Sequence, residues 1–157
     1  MDLILWRHAQ AEALLDDAPS RLDAERKLTQ KGQKQAAKMA LWLDSVLPHG
    51  CKILVSPSQC TMQTALALGR KFKVVTEVGT GSTVDQILLA CNWPNSREPV
   101  LIVGHQPQLG EVVTRLLPSI RECPMRKGNV WWISQREDED NPMTFLKVVM
   151  TPELVVK

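Results

Sequence analysis

The chain has no CxxC pair, no adjoining His and Cys, no long apolar run and almost no net charge. Each absence closes off a class. The four cysteines (Cys51, Cys60, Cys91, Cys123) are widely spaced, and the three histidines (His8, His49, His105) do not join them at ligand spacing. Zinc sites announce themselves by clustered ligands, so no metal is expected. Scattered thiols suit reduced cysteines in a cytoplasmic protein. No apolar stretch approaches a membrane span, and residues 1–6 are too short and too acidic to begin a secretory signal. With 19 Lys+Arg against 17 Asp+Glu, the net charge of +2 gives no broad field for nucleic acid or an anionic membrane. Neither GxxxxGK[ST] nor a GxGxxG after the first strand is present, which argues against a nucleotide site. No repeat, low-complexity stretch or linker interrupts the chain. Its 157 residues, 44% hydrophobic and 23% charged, fit a single globular domain over 1–157 with a real core.

What is present alternates. DLILW reads as a buried strand. From Lys31, residues Ala36, Met39, Ala40 and Leu43 fall at i, i+3, i+4 and i+7, one apolar helical stripe, with Thr29 as N-cap and Pro48 and Gly50 as stops. CKILVS (51–56) is the next strand. Ser56 as cap and Pro57 in the first helical position open a helix to about Gly69. KVVT (73–76) is a short strand, and Ser82-Thr83-Val84-Asp85 resembles a capping box opening a helix to about Cys91. PVLIVG (99–104) is the most strand-like run, and Pro107 opens a helix ending near Leu117. NVWWISQ (129–135) and MTFLKVVM (143–150) are strands joined by REDEDNP, a hairpin whose charged run Glu137–Asp140 is read as solvated. Trp131 and Trp132 alternate sides, so one belongs to the core. The expected fold is α/β: a mostly parallel sheet flanked by helices, with an antiparallel C-terminal hairpin.

Ligands of such sheets bind outside the carboxyl ends of the strands. Arg7-His8, Ser56-Pro57 and Gly104-His105-Gln106-Pro107 therefore share one rim. Helix mouths there favour an anion, and the planar fork of Arg7 suits phosphate oxygens. Two histidines and an arginine at helix mouths read as a phosphate site. His49, between Pro48 and Gly50, reads as a solvated loop residue.

Arg7-His8 followed by a small residue resembles the signature of the histidine phosphatase superfamily, which includes the phosphoglycerate mutases. Arg26-Lys27-Leu28-Thr29-Gln30-Lys31-Gly32, Ser56-Pro57 with Gln63-Thr64-Ala65, and Val103-Gly104-His105 are similar to the rest of the pattern, in the same order. The short length, without a large insertion, resembles the smallest branch, the SixA-type phosphohistidine phosphatases. Mutases of the superfamily resemble larger chains whose insertions close over the substrate.

The resemblance implies a histidine phosphatase-like fold and a metal-independent, cofactor-free phosphatase. Neutral His8 would attack phosphorus and carry the phosphoryl group until water releases it. Arg7 and His105 would stabilise the transferring charge, and Arg26 would join them in binding phosphate. Glu77, after the third strand, is the candidate general acid, its alternative being a surface carboxylate. The implied substrate is phosphohistidine in proteins or another small phosphoryl compound. Two positions depart from the pattern. The family usually shows Ser-Pro-x-x-Arg, and here Cys60 replaces that arginine. Gln10 stands where the small branch is often acidic. An arginine on a transferring phosphoryl group contributes ~10³–10⁵ in rate, for which Arg26 or Lys127 could partly compensate. Cys60 reads as a simple substitution, or as a reactive thiol at a helix start. A second reading follows: a catalytically weak module that binds phosphate or phosphohistidine.

Overall fold

The computed structural model describes residues 1–137 and 140–156, with Ser20 and Arg21 described by their backbone alone. The strands are β1 (Asp2–Arg7), β2 (Lys52–Val55), β3 (Lys73–Val74), β4 (Val100–Gly104), β5 (Val130–Glu137) and β6 (Pro142–Met150). The helices are α1 (Gln30–Val46), α2 (Gln59–Leu66), α3 (Val84–Ala90) and α4 (Gln108–Leu116), with 3-10 turns at Ser20–Glu25, Thr76–Val78 and Pro152–Leu154. One sheet runs β3-β2-β4-β1-β5-β6. Its first four strands are parallel, and β5 and β6 pair antiparallel.

The apolar runs of β1 and β4 explain the layering. Both faces of a central parallel strand are covered, so continuous apolar sequence replaces alternation. Leu3, Leu5, Val100 and Ile102 point to one face, packing with Ile87 of α3 and Leu109, Val112 and Val113 of α4. Ile4, Trp6, Leu101 and Val103 point to the other, packing with Met39 and Leu43 of α1 and Ala65 of α2. Truncating one such residue to alanine costs ~2–5 kcal/mol. Of the tryptophan pair, Trp132 is the buried one. Cys51, Cys60, Cys91 and Cys123 are all free thiols. Among the described residues no helix is long and apolar enough to cross a membrane.

Several local expectations shift by a turn. Thr29 caps α1 as expected, its side chain accepting from the Gly32 amide at 3.0 Å. For α2 the cap is Ser58 rather than Ser56, so Pro57 precedes the helix, which ends at Leu66 short of Gly69. Ser56 instead extends the sheet, its amide donating to the Val103 carbonyl at 3.1 Å. The capping box of α3 pairs Thr83 with Gln86, one residue later than expected. The third strand is only two residues long, because Thr76–Val78 turns into a 3-10 helix. In the hairpin, Asp138 and Glu139 lie outside the described residues.

Candidate active site

Register assembles the site. Arg7 pairs with Gly104 across β1 and β4, so His8 and His105, one residue further along each strand, emerge side by side. The His8 amide donates to the Gly104 carbonyl at 3.0 Å. The two rings lie 5.4 Å apart between centroids, tilted by 60°, and both residues are buried. From the other side, Gly128 donates its amide to the Arg7 and His8 carbonyls and accepts from Trp6 Nε1 at 3.2 Å. The first strand end is thus held by β4 on one flank and by the loop before β5 on the other.

Each imidazole has one nitrogen engaged. His8 Nδ1 donates to the Ala9 carbonyl at 2.7 Å. A carbonyl only accepts, so Nδ1 carries the proton and the neutral ring presents a lone pair at Nε2. His105 Nε2 shares a 2.7 Å hydrogen bond with Ser56 Oγ. Burial pushes His8 down to about 4. The Ala9 carbonyl opposes that shift, and His105, Arg7 and Arg26 add to it. Burial likewise pushes His105 down to about 4, with Asp23 opposing and Arg7 and Arg26 adding to it. Both rings are neutral at pH 7.

The cations differ in how they are held. Arg7 Nη1 donates to the Met125 carbonyl at 2.7 Å, and its buried Nε has no partner among the described residues. Part of its fork therefore stays available for an anion. Arg26 donates from Nε to the Glu12 carbonyl at 2.6 Å and pairs with Asp23 at 3.0 Å, close enough to act on both histidines. Arg7 also lines a groove of about 290 Å³ with Gln10, Lys31, Gln35, Arg126, Lys127 and Glu153. Four cations face one carboxylate there.

The helix mouths contribute fewer free amides than the sequence led one to expect. The Thr61 amide is taken by Ser58 Oγ, that of Leu109 by the His105 carbonyl, and that of Gly110 by Gln106 Oε1. Positive charge at the rim therefore comes mainly from side chains. Gln63 and Thr64 hold the site's loops rather than its ligand. Gln63 Oε1 accepts from the Leu28 amide at 2.7 Å, while Thr64 Oγ1 accepts from the Ala9 amide at 3.1 Å. Gln10 is a hub. Its amide donates to Gln35 Oε1, its carbonyl accepts from the Thr29 amide, and its Oε1 accepts from Thr29 Oγ1. An amide thus supplies an acceptor that a carboxylate would also provide.

Glu77 stands exposed on the Thr76–Val78 turn. An added side chain at nearby Gly79 would meet Pro57 and Ser56 Oγ at 3.5 and 3.7 Å, so this turn borders the rim. His49 is exposed, as expected. Cys60 is buried at the start of α2, its Sγ 3.4 Å from Ser58 Oγ, and burial pushes its thiol up. Gln35 and Arg126 were not singled out from sequence. Ser56 was placed on the rim without its link to His105, and Lys31 was read in a motif without its place in the groove.

Comparison with known proteins agrees with this geometry. Residues 3–81 match the model of the histidine phosphatase superfamily, branch 1. The phosphohistidine phosphatase SixA homolog of Haemophilus influenzae is 27% identical over 170 aligned positions, which cover 94% of this chain and all of that protein. The structure of the protein histidine phosphatase SixA complexed with tungstate superposes with a TM-score of 0.75 at 23% identity, covering 97% of both chains. A SixA-type structure from Agrobacterium tumefaciens gives 0.76 at 20% identity, over 96% of this chain and 98% of that one. The chain belongs to the histidine phosphatase superfamily, branch 1, and is similar in sequence and fold to SixA-type proteins.

Proposed function

We propose that this phosphatase-family hydrolase works through a covalent phosphohistidine on His8 and acts on phosphohistidine in a partner protein. The observation that carries the mechanism is the 2.7 Å bond from His8 Nδ1 to the Ala9 carbonyl. It fixes the tautomer that leaves Nε2 free, and burial keeps that ring unprotonated. Nε2 attacks phosphorus and the leaving group departs with the bonding pair. Water then attacks the phosphohistidine and restores the neutral ring. Arg7 and His105 flank the transferring group and stabilise its charge, and Arg26 adds to the field. Glu77 would protonate leaving groups that need it. A phosphoramidate nitrogen is labile and needs less help. The chain's own residues supply every step of this route, within one domain spanning 1–157.

The groove beside Arg7 supports a protein substrate. Lys31, Arg126 and Lys127 line this groove with Arg7, whereas neither histidine does, and their charge suits acidic side chains around a phosphorylated residue. The test compares a generic phosphoramidate, an aryl phosphate and a phosphohistidine protein, in chelator, with wild type and His8→Ala. Wild type should turn over all three, the protein best, and enzyme quenched in turnover should carry an acid-labile phosphoryl group on His8. Full activity in His8→Ala would sink the mechanism.

Cys60 supports a second reading, a phosphate-binding module with weak turnover. A thiol offers neither the fixed charge nor the fork of the family's arginine. This reading predicts binding of phosphohistidine peptides with negligible hydrolysis, and a gain of up to ~10³–10⁵ in rate from Cys60→Arg.

A further inference from the structure

Three soft or borderline ligands meet where the sequence showed only scattered residues. His8, Cys60 and His105 each offer a ligand atom, one imidazole nitrogen from each histidine and Sγ, and all three atoms lie within 4.8 Å of one another. All three residues are more than nine-tenths buried. We propose that His8, Cys60 and His105 form a zinc-binding site at the phosphoryl position, and that a bound Zn²⁺ holds the protein in an inactive state.

The donor set selects the ion. One thiolate and two imidazoles suit Zn²⁺ and disfavour Mg²⁺ or Ca²⁺, which require oxygen ligands. Bond lengths of ~2.3 Å to sulfur and ~2.0–2.1 Å to nitrogen put the edges of a tetrahedral site at roughly 3.3–3.7 Å. With all three atoms within 4.8 Å of one another, the separations need to close by at most about 1.5 Å. Binding through His8 Nε2 and His105 Nδ1 would use a supporting shell already present. Histidine ligands of metals characteristically commit their second nitrogen to a carbonyl, carboxylate or hydroxyl partner. His8 does so on the Ala9 carbonyl and His105 on the Ser56 hydroxyl, both at 2.7 Å. Ser58 Oγ stands 3.4 Å from Cys60 Sγ, placed to donate to a thiolate. Three protein ligands leave the fourth position to water.

The site depends on this chain's departure from its family pattern. A guanidinium at position 60 would repel a cation from the two histidines, whereas a thiol can bind one by releasing its proton to solvent. Arg7 and Arg26 remain near, so affinity should fall below that of structural zinc sites, which suits reversible occupancy. Zinc on His8 Nε2 consumes the lone pair that attacks phosphorus. That inhibitory consequence rests on the proposed mechanism, whereas the binding site stands on geometry alone.

Co²⁺, a spectroscopic substitute for Zn²⁺, separates the two. The reduced, chelator-treated protein is titrated with Co²⁺, and the near-ultraviolet thiolate-to-metal charge-transfer band is followed. One Co²⁺ should bind per chain, with a band that Zn²⁺ bleaches. The band should persist in Cys51→Ser and vanish in Cys60→Ser, whose folding is checked by circular dichroism and thermal melting. The Zn²⁺ concentration that halves phosphatase activity should rise at least ~10-fold in Cys60→Ser. Absence of a band in wild type, or its survival in folded Cys60→Ser, overturns the site. Full turnover with the site saturated by Zn²⁺ overturns the inactive state. A wild type that shows the band but has no phosphatase activity upholds the site and refutes the proposed mechanism instead.

Discussion

The rim between β1 and β4 and the groove beside it lie next to each other but are built in opposite ways. At the rim, His8 and His105 follow paired strand ends, are buried, and have one ring nitrogen each tied to a neighbour. In the groove, Lys31 and Arg126 are exposed and Lys127 is half-buried, all on long side chains. The rim fixes atoms to within the tolerance of a reaction. The groove supplies charge without fixed geometry. The proposed chemistry fits the first and the proposed recognition the second. Arg7, held by the Met125 carbonyl and lining the groove as well, joins them.

The sharpest way to break this division is His8→Ala. Turnover should fall on the order of 10⁴–10⁶, read by steady-state kinetics, while a phosphohistidine peptide should still bind through the groove. The rim should also show itself through pH. Both imidazoles sit near 4 in the folded protein against an ordinary 6.5, so between those values the unfolded chain binds protons that the folded one does not. Stability is then complete above about pH 6.5 and lost as pH falls towards 4, by at most about 3 kcal/mol per histidine. Urea titrations across that range will measure it.

A smaller effect tests how the rim is braced. Gly32 packs so closely on the first loop that a Cβ there would sit 1.9 Å from the Gln10 carbonyl oxygen. Gly32→Ala should cost ~1–3 kcal/mol, seen as a lowered urea midpoint with unchanged slope, and should lower kcat as the loop after His8 shifts. The smallest effect belongs to the groove. Arg126→Ala with Lys127→Ala should raise KM for a phosphorylated protein roughly tenfold, with salt sensitivity reduced. It should leave kcat, and KM for an aryl phosphate, nearly unchanged. A large fall in kcat would show that the groove takes part in the chemistry.

Sequence revealed the rim more readily than the groove for the same reason. DLILW and PVLIVG are strong strand signals, and the rule that ligands sit at strand carboxyl ends placed His8, Ser56 and His105 together. Nothing local, however, says that β1 lies beside β4. That adjacency comes from strand order and brings His8 beside His105, while β2 beside β4 brings the Ser56–His105 bond. The cap of α2 moved from Ser56 to Ser58 because Ser56 is still bonded to β4, a tertiary tie that local capping preferences do not contain. Gln63 and Thr64 were legible as pattern but not as clamps, since their partners at Leu28 and Ala9 lie on other loops. Lys31 and Arg126 are ordinary surface cations until folding turns them toward Arg7.

The central position of β1 also sets when the site can exist during synthesis. Within this domain β1 is made well before the strands that flank it, with Leu3 beside Val100 on one side and Ile133 on the other. Contacts so distant along the chain form late and slowly. A nascent chain that has displayed Arg7 and His8 for most of its translation still lacks His105, and it lacks the Gly128 clasp that holds both carbonyls. His8 is therefore made before the residues that flank it, so a product stalled or truncated before β4 carries the Arg7-His8 motif without its partners.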